Sequence, residues 1–126
     1  MPDKTENVMM QEMVLDLCYR LRLADDLFCV AADSLVTAME TDEFSAKLAA
    51  LDDIREYAGS LRIIAADFER LFDRKRLVFP PDPADWIWEQ PNAGTQIPLY
   101  LERMHSNAHG MELVLDAELV KHEVRR

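Results

Sequence analysis

The chain has 126 residues, with 14 Lys and Arg against 24 Asp and Glu, a formal net charge of −10 with His neutral. Apolar residues make up 49% and charged residues 30%, the balance of a chain that folds around a core and not of a disordered tail. So negative a charge disfavours non-specific attachment to nucleic acid or an anionic bilayer, and only 3 Gly with 6 Pro argue against a turn-rich β-sandwich or barrel.

The first predicted element is a long helix over about residues 4–39. Asp3 with Glu6 gives it an acidic version of a capping box. Met10, Val14, Leu17, Leu21, Ala24, Phe28, Ala31, Leu35 and Ala38 alternate by four and three, the seam of a packed helix. Tyr19, Leu23 and Val30, with Leu27 at the edge, form a second apolar stripe about 135° away from that seam. One core needs one face per helix, so this stripe requires another covering surface: the later linker, a second copy of the chain, or a different protein.

Glu40 and Thr41 mark a short break, with Thr41 or Asp42 as the cap of a second helix over about residues 42–73. Its seam is Phe44, Leu48, Leu51, Ile54, Ala58, Leu61, Ala65, Phe68 and Phe72, with Ile63 lying outside it. It fades into Asp73-Arg74-Lys75-Arg76, where cations complement a helix C-terminus. So short a break makes the two helices an antiparallel hairpin.

A Pro/Trp-rich linker over residues 77–94 follows. Asp82 and Pro83 can start a short helix over residues 83–90, and Trp86 and Trp88 can either pin the linker to the bundle or anchor a partner. The last helix is predicted over about residues 96–123, with Pro98 in its first turn and a seam of Ile97, Leu101, Met104, Ala108, Met111, Leu115 and Leu119. Leu113 and Val120 fall outside the seam. The stretch around Gly110 predicts a kink or a close helix crossing. The expected fold is therefore all-α, a single-domain three-helix bundle built on a long hairpin, with an ordered linker before the third helix.

Several patterns bear on chemistry. Glu102, His105, His109 and Glu112 fall within roughly 80° on the third helix, and His-x3-His is a workable chelate. Ligand spacing on one helix is a weak signal, and solvated polar residues beside the core give the same pattern. Cys18 and Cys29 lie about 100° off the first seam and about 16 Å apart along one helix, too far to bridge. They are expected to be structural thiols in a reducing compartment, which places the protein in the cytoplasm. The polar, acidic N-terminus is not expected to be a leader, and no apolar run approaches the ~18 residues of a membrane span.

No Gly-rich phosphate loop and no interpretable catalytic constellation are present, so neither a catalytic residue nor a cofactor is assigned. The expected function is a small acidic, non-catalytic interaction module (adaptor, inhibitor or assembly factor). It would bind another protein or a second copy of itself, with a homodimer expected, through Tyr19, Leu23, Leu27, Val30, Trp86 and Trp88. A metal-binding bundle using Glu102, His105, His109 and Glu112 is the alternative. A third reading is an acidic mimic of nucleic acid that blocks a basic surface, with no direct contact to nucleic acid or membrane.

Overall fold

The computed structural model describes residues 4–72 and 93–121. They form three α-helices, α1 (Lys4–Thr41), α2 (Phe44–Phe72) and α3 (Ala93–Lys121), with no strand among the described residues. The protein is an all-α three-helix bundle. The predicted linker, with its short helix and both tryptophans, falls on or next to residues 73–92, which lie outside the described residues. None of the three helices is both long and apolar enough to cross a membrane.

The α1 seam forms the core as its spacing requires. Val14, Leu17, Leu21, Ala24, Phe28, Ala31, Leu35 and Ala38 are all buried. Leu51, Ile54, Ala58, Leu61, Ala65 and Phe68 face them from α2, and Ile97, Met104, Ala108, Met111 and Leu115 from α3. These side chains make one contiguous cluster. Helix α1 packs extensively on both neighbours, whereas α2 and α3 barely meet. Met10, Leu48, Phe72, Leu101 and Leu119 of the predicted seams are half-buried, and Phe44, the first residue of the α2 seam, is exposed. It opens α2 right after the turn, where the facing helix has already ended.

The turn itself differs from the predicted cap. Thr41 is the last residue of α1, and its hydroxyl donates back to the carbonyls of Thr37 and Ala38, both at 3.2 Å. Asp42 takes a left-handed conformation with φ 54°, and the Glu43 amide donates to the Ala38 carbonyl at 3.3 Å. That is the chain reversal of a Schellman-type helix end. The Glu43 carbonyl accepts from the Lys47 amide at 3.0 Å, so Glu43, not Thr41 or Asp42, stands at the cap position just before α2. The Lys47 ammonium pairs with the Asp42 carboxylate and ties the turn to α2.

Ion pairs fix the direction of each helix. Arg20 donates to Asp67 at 2.9 Å, as an antiparallel hairpin reversing at residues 42–43 requires. Arg22 pairs with Asp116 at 2.9 Å and Asp25 meets His105 at 3.2 Å, so α3 also runs antiparallel to α1 and hence parallel to α2. The end of α2 and the start of α3 therefore lie at opposite ends of the bundle.

The Arg20–Asp67 pair carries a pH signature. The hydrogen bond from Arg20 holds the Asp67 carboxyl below its ordinary value, with the Arg70 charge adding to the effect. A carboxyl lowered in the folded state stabilises the fold above its unfolded value, and the contribution is lost as pH falls through the folded one. The pair is partly exposed, so its worth is at most about 1 kcal/mol. The difference in urea midpoint between pH 7 and pH 3 should therefore be smaller in Asp67→Asn than in the native chain.

Helix α3 runs unbroken through the segment around Gly110. A Cβ built on Gly110 would meet nothing within 4 Å, so no close crossing demands glycine there. Gly110→Ala is expected to raise stability by about 0.5–1 kcal/mol, by removing backbone freedom from the unfolded chain. A thermal melt checks this.

Candidate functional site

The flank of α1 that α3 covers is set by spacing. Cys18, Arg22, Asp25 and Cys29 follow one another at four, three and four residues and so lie on one line beside the seam. Docking of α3 along this line buries Cys18 to 4% exposure. Cys18 therefore belongs to the core, not to the lightly buried flank that the first seam alone suggests. Arg22 reaches Glu112 at 3.6 Å and Asp116 at 2.9 Å across the same groove.

Further along, three chemically capable side chains converge. His105 Nδ1 lies 3.5 Å from Cys29 Sγ and 3.2 Å from Asp25 Oδ1, and Sγ lies 4.0 Å from that same oxygen. Asp25 and Cys29 stand one helical turn apart on α1, and the ring reaches between them from α3. Asp25 and Cys29 are half-buried and His105 is exposed, so the cluster sits at the rim of the α1–α3 groove.

Its electrostatics follow from that position. Burial pushes the Asp25 carboxyl up, opposed by the hydrogen bond and charge of His105. Burial also pushes the Cys29 thiol up, and the charges of Asp25, Asp26 and Asp33 push it further. Cys18 is raised by burial against the lowering effect of Arg22. Burial thus disfavours the thiolate at both positions, and at Cys29 the neighbouring carboxylates add to the effect. The thiol and the carboxylate both address Nδ1, whereas a proton relay needs one group on each ring nitrogen. The three groups converge on one point, as the donors of a cluster do.

The predicted stripe on the third helix is thus divided. His105 turns to α1, Glu112 lies beside Arg22, and Glu102 and His109 face solvent. Among the described residues, Asp25, Cys29 and His105 are the group with metal-ligand proximity, and two of them come from a helix that the single-helix spacing could not include. The line through residues 18, 22, 25 and 29 was the available signal. It marks a second packing flank on α1.

Comparison with known proteins gives no match to a family model, a curated protein or a solved structure.

The opposite side of α1 carries the second stripe. Tyr19 is 70% exposed and Val30 63%, with Leu23 and Leu27 exposed between them. Val8 and Leu15 extend the stripe toward the N-terminus. Spacing alone marked only its middle. Glu12, Asp16, Asp26 and Asp33 are exposed on and around it. Of the flanking cations, Arg22 pairs across to Asp116 and Glu112 on α3, whereas Arg20 pairs both with Asp67 on α2 and with Asp16 of the rim itself. Trp86 and Trp88 lie outside the described residues.

Proposed function

We propose that the protein is a small non-catalytic interaction module whose outer α1 face receives an apolar helix face with basic flanks. The observation that carries this reading is the exposed stripe of Val8, Leu15, Tyr19, Leu23, Leu27 and Val30 on the side of α1 turned away from both neighbours. A stripe spanning about six helical turns is a long apolar patch for a surface with nothing to meet. Its companions Glu12, Asp26 and Asp33, with Asp16 shared by Arg20, give the rim a net negative charge, which sets orientation and favours a cationic partner. Against a second copy, the same rim would place like charges face to face between chains of net charge −10. Two free thiols support action in a reducing compartment such as the cytoplasm.

The test uses the purified chain and a synthetic amphipathic helical peptide with one apolar face and lysine flanks. The chain should be monomeric by light scattering at two concentrations. The peptide should bind more weakly as salt rises and more weakly still when Tyr19 and Val30 are replaced. A stable dimer dispersed by the same replacements would hand the face to a second copy. Peptide binding indifferent to them would sink the reading.

A further inference from the structure

We propose that Asp25, Cys29 and His105 form a site for a divalent transition metal such as zinc that clamps α1 to α3. Tetrahedral zinc holds sulfur at about 2.3 Å and nitrogen or oxygen at about 2.0–2.1 Å. Those bond lengths place sulfur about 3.5 Å from either lighter donor, and nitrogen about 3.3 Å from oxygen. The cluster has 3.5 Å between Sγ and Nδ1, 3.2 Å between Nδ1 and Oδ1, and 4.0 Å between Sγ and Oδ1. The donor triangle therefore already has nearly the edges that one ion would impose, and closing it takes a few tenths of an ångström on one side.

The donor types agree with the spacing. A thiolate with an imidazole favours zinc over the hard cations magnesium and calcium, and the carboxylate completes a set with one anionic oxygen. An ion pair between His105 and Asp25 uses only two of the three groups. The thiol aimed at the same ring nitrogen is what makes a metal pocket of the pair. Asp26, Asp33 and Glu112 add negative charge around the site, which attracts a cation. The rim position gives the ion a way in, and three protein ligands leave a fourth position for water. On binding, the thiol releases its proton to solvent.

The experiment uses the full, tag-free chain stripped with a chelator and titrated with Zn(II) and, as a spectroscopic probe, Co(II). One ion per chain should bind. Cobalt should give tetrahedral absorption with a thiolate charge-transfer band, and Cys29→Ser should abolish that band. His105→Ala and Asp25→Asn should each weaken binding at least about 10-fold, while His109→Ala leaves it unchanged. Zinc at 100 times its dissociation constant should raise the melting temperature by roughly 10 °C in the native chain, and not in Cys29→Ser. Helical circular dichroism checks that each variant is folded. No binding at micromolar metal overturns the site, as does binding that survives both Cys29→Ser and His105→Ala. Loss on His109→Ala would move the metal to a chelate within α3, also against the proposal.

Discussion

Phe28→Ala is expected to remove about 3–5 kcal/mol of stability, a third or more of what a domain of this size commonly has. Phe28 is 1% exposed, lies at the middle of the α1 seam and belongs to the cluster that all three helices share. Truncation removes most of a large apolar side chain from that cluster and leaves a cavity that three packed helices cannot fully close. Urea denaturation followed by circular dichroism should show the midpoint falling with little change in slope, and the melting temperature falling by roughly 10–20 °C. A loss below about 1 kcal/mol would mean that the seam is not the core.

That prediction rests on a feature legible from spacing alone. The four-three alternation from Val14 to Ala38 needs no knowledge of a partner helix, because a packed helix buries one face whatever it meets. The same holds for the hairpin, since a break of two residues leaves α2 nowhere else to go. Which flank of α1 would receive α3 was far less legible. The connection before α3 is long enough to allow either direction, and only pairs such as Arg22 with Asp116 settle it.

The donor cluster was hidden for the same reason. Spacing along one helix pairs His105 with His109, four residues on, but it cannot register an Asp25 carboxylate 80 positions away. The turn shows a further limit. Thr41 and Asp42 are both good capping residues, yet the left-handed conformation at Asp42 ends α1 and passes the cap position of α2 to Glu43. Residue preference identifies where a chain turns more surely than which residue performs the turn.

Tyr19→Gln combined with Val30→Gln should have the opposite profile to Phe28→Ala, although all three residues lie on α1. Tyr19 and Val30 are 70% and 63% exposed, so their replacement by a good helix former should change stability by no more than about 0.5 kcal/mol. Their effect should appear in association. An aromatic anchor at the centre of an interface commonly contributes about 2 kcal/mol or more, and with Val30 the pair should weaken binding roughly 100-fold. Gln adds no charge, so the acidic rim of Glu12, Asp26 and Asp33 and the salt dependence of whatever binding remains should be retained. Titration of the amphipathic peptide at two salt concentrations, alongside a melt of each chain, separates the two terms. Lost affinity with an unchanged melt places the effect on the outer face of α1. Lost affinity with a lowered melt would mean that this stripe is part of the fold and is covered from within the chain.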